Sequence, residues 1–343
     1  MDFAPRNILV LNSDRLGDAA LALPALRALR ERFPRARITA TVAASAVPLL
    51  ELAGYTDKVV AVEYAVKGSH VQPFALMNLA RVVQALRREK FDLVVDLHGS
   101  SQTNLLGYLS GAPQRLYARR ADAALSLLAN FQPPPEIEDK TKHPAQRYIS
   151  VLAPLGVRGT SPILRLRTRP EDDRAVAEIL RKAKVPEGAP LVGIFPGAND
   201  AGARWPLERF HELADHLERN DSVRSLVLLG PQERALTTEA RRVFGSTSHI
   251  LDALTLPQLA SLSARLAAFA SNAAAPAAIA ALVGTPVVAL LNSSLSKQLW
   301  LPVGTHHRIV RASQITNITV EHVYTATRAA LTQERASTLF ASG

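Results

Sequence analysis

Cysteine is absent from the 343 residues, which excludes disulfides, thiolate metal sites and cysteine nucleophiles, and suits a reducing cytoplasm. Aromatic residues make up only 5% of the chain, so a base-stacking surface is not expected and nucleic acid is not an expected partner. No apolar run approaches the roughly eighteen residues of a membrane-spanning helix. The opening Met1-Asp2-Phe3-Ala4-Pro5-Arg6 has no basic stretch followed by an apolar one, so no signal peptide is expected. Histidines are scattered. Even the adjacent His306 and His307 lack HExxH or comparable ligand spacing, so neither a metal nor a cofactor is expected.

Hydrophobic residues make up 48% of the sequence and charged residues 20%, the balance of a soluble globular chain long enough for two domains. Lys and Arg number 40 against 30 Asp and Glu, a net charge of +10. Such a surface favours anionic partners. The excess is mostly Arg spread through helical stretches such as Arg27-Ala28-Leu29-Arg30-Glu31-Arg32. Two readings stand side by side: a solvated face, and a peripheral contact with anionic membrane or lipopolysaccharide.

Strand and helix patterns alternate along the chain. Asn7–Asn12 is a short apolar run, as expected of a strand buried on both faces. Helical spacing follows from Gly17 to Phe33, with Pro24 tolerable if the helix begins near Leu21. Further strands are expected at 37–42, 58–63 and 91–97, with helices at 46–52, 74–90 and 104–110. Pro133 to Lys142 breaks the pattern as a loop. A helix at 143–155 leads to a connection over 156–170. A second series then runs through strands at 190–195, 225–229, 267–270 and 286–291. The helices expected beside them are 171–184, 207–218, 232–243, 257–266 and 276–283, with a last one at 320–334. This alternation predicts an α/β protein of two doubly wound, Rossmann-like parallel-sheet domains facing a cleft, bounded at 1–165 and 166–343.

Four loops carry the candidate chemistry. Asp18 follows Gly17 just past the first strand, where ligands of open α/β sheets bind. It is equally placed to cap the helix. Phe195-Pro196-Gly197-Ala198 closes the first strand of the second half. Gly197 lets backbone approach a phosphate, or simply makes a turn. Nearby stands Arg204-Trp205-Pro206, where Trp205 and Pro206 are expected to anchor the next helix by packing. Glu233, in Gly230-Pro231-Gln232-Glu233, suits a ribose diol but is also an ordinary first-turn carboxylate. Last comes Asn272-Ala273-Ala274-Ala275-Pro276-Ala277-Ala278 ahead of a helix, where backbone N–H groups favour a pyrophosphate.

Taken together these loops resemble glycosyltransferase family 9, the ADP-heptose–lipopolysaccharide heptosyltransferases, over nearly the full length from Ile8 to about Tyr324. The most specific match is Arg15-Leu16-Gly17-Asp18. The resemblance implies the GT-B architecture and metal-independent, inverting transfer from a nucleotide sugar to a lipopolysaccharide or other glycan acceptor. It implies Asp18 as general base, with Asp14 and Arg15 at the acceptor. It implies donor contacts at Pro196, Gly197, Arg204, Glu233, Asn272, Ala274, Ala275 and Pro276. The expected location is bacterial cytoplasm, at the inner face of the membrane. The chain departs from the family where Lys is replaced by Ala203, and where an Asn-Asp-(Ser/Thr)-Gly-Pro-x-His loop reads Ala273, Ala274, Ala275 and Ala278. Two other readings stay open: a catalytically silent relative that binds a glycan or a protein, and an epimerase-like nucleotide-sugar enzyme on the same architecture.

Overall fold

The computed structural model describes residues 3–12, 15–62, 66–67, 70–71, 73–120, 125–186, 188–198, 200–245, 248–292 and 307–341. The chain divides into two compact units between Leu164 and Arg165, each built on a parallel sheet.

In the first unit the strands are β1 (Asn7–Leu11), β2 (Arg37–Val42), β3 (Lys58–Ala61), β6 (Leu93–Asp96) and β7 (Gln114–Tyr117). Among the described residues they form one sheet in the order β3-β2-β1-β6-β7, and every pair is parallel. A separate antiparallel pair, β4 (Val66–Lys67) and β5 (His70–Val71), was not expected from the sequence. Ile8, Leu9, Val10 and Leu11 of the central strand are all fully buried, which is why that segment reads as an unbroken apolar run. The flanking helices are α1 (Leu16–Arg32), α2 (Val47–Ala53), α3 (Pro73–Glu89), α4 (Ser101–Leu109) and α5 (Pro144–Val151). Helix α1 begins at Leu16, so Pro24 lies in its interior and not in the first turns as expected. The lost backbone hydrogen bond costs roughly 3 kcal/mol. Burial of Leu21, Leu23, Leu26 and Leu29 offsets it.

The second unit carries β8 (Leu191–Phe195), β9 (Arg224–Leu228), β10 (His249–Leu251), β11 (Ala268–Asn272), β12 (Val287–Asn292) and β13 (Arg308–Ala312). They form a sheet in the order β10-β9-β8-β11-β12-β13. Residues of each strand alternate between its two faces. Ala268, Ala270, Val288 and Leu290 pack with α7 (Leu207–Asp221) and α11 (Val320–Ala341) on one side. Phe269, Val287, Ala289 and Leu291 pack on the other with α6 (Pro170–Lys182), α9 (Leu256–Ser263) and α10 (Ala275–Leu282). Helix α8 (Thr237–Phe244) follows a 3-10 segment, Pro231–Leu236, that replaces the start of the continuous helix expected from 232. Helix α11 extends beyond the expected end at 334 and packs on α7, β11, β12 and β13.

β7, β10 and β13 have no counterpart in the sequence expectation. They are short or lie at sheet edges, and β13 carries exposed Arg308 and Arg311. An edge strand is covered on fewer sides, so it needs no apolar run.

Candidate functional site

Both sheets reverse their strand order next to the first strand of the unit: between β1 and β6, and between β8 and β11. Loops beyond the carboxyl ends of strands at such points form ligand sites in open α/β sheets.

At the first of these points Arg15 holds the N-cap position of α1 and offers no side-chain cap bond. Asp18 is the third residue of the helix, half-buried, in a first turn whose dipole favours a carboxylate. Asp18 is therefore not the helix cap. Arg15 is exposed, and Asp14 lies outside the described residues. Helix α5 packs against α1 and places Tyr148 in the electrostatic field of Asp18. Burial pushes the Tyr148 phenol well above its ordinary pKa; the negative charge of Asp18 adds to that, and Arg120 and Arg147 oppose it. Arg147 Nη1 lies 3.1 Å from Glu138 Oε1, and Arg120 Nε lies 3.6 Å from Glu138 Oε2. Sequence reasoning missed this whole group, because its members sit on a loop, a strand exit and a distant helix.

Asp96 ends β6 and is fully buried. Its Oδ1 accepts the backbone N–H of His98 at 2.9 Å and of Gly99 at 2.8 Å, while Oδ2 accepts from Asn104 Nδ2 at 2.7 Å. Burial holds its carboxyl above the usual carboxylate range, and the Gly99 N–H and the Thr103 hydroxyl pull the other way. Asp96 thus fastens the loop after β6 and the start of α4.

At the second switch point Asn272 ends β11, also fully buried. Its Oδ1 accepts the Trp205 backbone N–H at 3.0 Å, and its Nδ2 donates to the Pro196 carbonyl at 2.8 Å and the Gly197 carbonyl at 3.4 Å. The side chain is engaged at both ends in the loop after β8. Trp205 is buried, donates Nε1–H to Ile318 O at 2.9 Å and meets Phe210 edge-on at 4.8 Å. This is the packing role expected of it.

Glu233 is 8% exposed. Its Oε2 accepts the Gly230 N–H at 3.1 Å, and its Oε1 rests against Gly197, where an added Cβ would stand only 2.5 Å away. A side chain at Gly197 would displace the Glu233 carboxyl. Burial raises the Glu233 pKa, opposed by the Gly230 N–H and by the charge of Arg204. Arg204 Nη2 donates to Ala198 O at 3.3 Å. Pro196, Gly197, Arg204, Glu233 and Asn272 thus come together around the end of β8. Ala274 is the N-cap of α10 and supplies no side-chain bond. Ala274 and Ala278 are buried, whereas Ala273, Ala275 and Pro276 are half-buried.

Residues 79–327 match the model of glycosyltransferase family 9 (heptosyltransferase). The chain is 24% identical over 290 residues to lipopolysaccharide heptosyltransferase 3 of Escherichia coli, covering 81% of each. A glycosyl transferase family 9 structure from Veillonella parvula superposes with a TM-score of 0.83 at 23% identity, over 97% of this chain and 99% of that one. The E. coli ADP-heptose lps heptosyltransferase II gives a TM-score of 0.78 at 20% identity, over 96% and 99%. With its family match extending over most of the sequence, this chain belongs to glycosyltransferase family 9.

Proposed function

We propose that this protein is a glycosyltransferase that moves a sugar, with inversion and without a metal, from a nucleotide-sugar donor to a lipopolysaccharide or other glycan acceptor. The observation that carries the reading is Asp18: a half-buried carboxylate at the switch point of the first sheet, beside Tyr148 and the Arg120–Glu138–Arg147 group. The acceptor hydroxyl gives its proton to Asp18 as its oxygen attacks the anomeric carbon. The bond from that carbon to the nucleoside diphosphate breaks, and its electron pair leaves with the diphosphate. Asp14 and Arg15 contact the acceptor.

The donor is assigned to the second unit. Glu233 takes the ribose hydroxyls, Arg204 and the backbone at Ala274, Ala275 and Pro276 face the phosphates, and Pro196 and Gly197 shape the floor. Asn272 contributes by holding that floor in place. The same reading takes residues 1–165 as the acceptor side and 166–343 as the donor side, with the end of α11 returning to the first domain. It places the protein in the bacterial cytoplasm at the inner face of the membrane. With no native cysteine, engineered cysteine pairs between 335–341 and the first unit test the return of α11 by cross-linking.

One observation favours a second reading, the silent glycan- or protein-binding relative. The alanines at 273, 274, 275 and 278 remove the polar side chains that the family carries there, and backbone groups alone stand at the start of α10. Calorimetry with ADP-, UDP-, GDP- and CMP-sugars, followed by transfer assays on any donor that binds, decides between them. A donor bound and turned over supports the transferase. Binding of none of them leaves the silent reading.

A further inference from the structure

Three large apolar side chains exposed in the first unit stand on α4 and the turn beside it, while Ile137 and Ile163 are exposed as well. Leu105 is 40% exposed, Tyr108 50%, and Leu127, on a single turn beside α4, 77%. Next to them lies an open groove of about 630 Å³ lined by Leu79, Arg81, Val83, Arg87 and Leu109 among others. The patch is one surface. Arg87 Nε donates to Leu109 O at 2.8 Å, joining α3 to the end of α4. The Arg115 guanidinium lies 5.5 Å over the Tyr108 ring and donates from Nε to Leu128 O at 2.8 Å.

Among the described residues, 79–88 of α3 and 100–118 contain no Asp or Glu, while they carry Arg81, Arg87, Arg88 and Arg115. Arg81, Arg87 and Arg88 are exposed. A second copy of the chain seated here would set arginine against arginine, a like-charge cost. A bilayer with anionic headgroups meets both needs: its phosphates pair with the arginines, and its acyl boundary takes the leucines. Tyr suits the headgroup level.

We propose that the α3–α4 face, with Leu105, Tyr108, Leu127, Arg81 and Arg88 as its contacts, docks the first unit on an anionic phospholipid bilayer. The inference rests on the proposed membrane-borne acceptor and says which surface faces it.

The test is co-sedimentation of the full chain with vesicles of phosphatidylglycerol and phosphatidylcholine mixed equally, and with pure phosphatidylcholine. The wild type is expected to bind the mixed vesicles at least ~10-fold more tightly, with the preference lost at high salt. Leu105→Ser/Tyr108→Ser/Leu127→Ser and, separately, Arg81→Gln/Arg88→Gln are each expected to weaken that binding by roughly 10-fold. An unchanged thermal midpoint shows that both variants are folded. Equal binding to the two vesicle types overturns the proposal, as does a triple variant that binds like wild type. A wild-type dimer that the triple variant dissociates, without vesicle binding, also overturns it and assigns the face to a second copy. Vesicle binding needs no turnover. Failure to transfer sugar to a soluble acceptor therefore counts against the proposed reaction and leaves the docking result intact.

Discussion

The two sheets end their switch-point strands in the same way and furnish the loops beyond them differently. Asp96 closes β6 and Asn272 closes β11, both fully buried, both with side chains spent on the backbone or side chains of a neighbouring loop. The first unit carries Asp18, Tyr148, Glu138, Arg120 and Arg147 as a charged and polar group. Around Asn272 the loop into α10 is alanine, and Glu233 and Arg204 bring charge. Shape is therefore held by one set of residues and chemistry by another. The first set stands in both units, while the second differs between them.

Removing the proposed base should break the comparison most sharply. Asp18→Asn is expected to lower the transfer rate by about a thousandfold, within the range of general-base contributions, with an unchanged unfolding curve. Transfer at the wild-type rate would place the base elsewhere.

Next come the two frame residues. Asn272→Ala leaves the Trp205 N–H and the Pro196 carbonyl without their partner, and Asp96→Ala does the same for His98, Gly99 and Asn104. Each is expected to cost about 3 kcal/mol in urea unfolding. A loss below about 1 kcal/mol in either would show that its loop is held by other contacts.

The donor loop gives an effect of similar size, read in binding. ADP-heptose is expected to bind at least ~100-fold more weakly than to a relative with the polar loop, on the order of 3 kcal/mol. The absent Lys at Ala203 adds to the loss. Micromolar affinity measured by calorimetry would refute this and credit the backbone and Glu233. Burial also decides which restorations can work. Ala273→Asp with Ala275→Gly acts at half-buried positions and should tighten ADP binding by roughly 10-fold. Ala274→Thr and Ala278→His enter closed packing and should lower the thermal midpoint instead.

The smallest effect is a pH dependence. Burial holds the Glu233 carboxyl above its ordinary value, so the folded state binds that proton more tightly than the unfolded chain. Stability contributed by this group falls as pH rises from the ordinary carboxylate range through the raised pKa. Donor binding through the carboxylate should strengthen over the same window. Urea unfolding and ADP titration across that range check both, and Glu233→Gln should flatten both slopes.

The central strands were legible because burial on both faces writes an apolar run into the sequence, as at Ile8–Leu11 and Val287–Leu291. Edge strands such as His249–Leu251 leave no such mark. Helix α1 was read from Gly17, one residue from its start, whereas the interior place of Pro24 was not, because its cost is outweighed by burial that only the folded unit supplies. The place of Asp18 in the first turn after β1 could be read from the sequence. The double engagement of Asn272 could not, because its partner Trp205 stands 67 residues away. Nor could the pairing of Glu138 with Arg120 and Arg147, which depends on how a loop folds against α5.

The tie made by Asn272 has a consequence for how such a protein changes over generations. A crevice whose outline is pinned by one deeply set amide keeps its form while the residues after it are rewritten one by one. Substitutions at the half-buried 273 and 275 then meet little packing penalty. Under the proposed donor role they would alter ligand choice before they alter the fold.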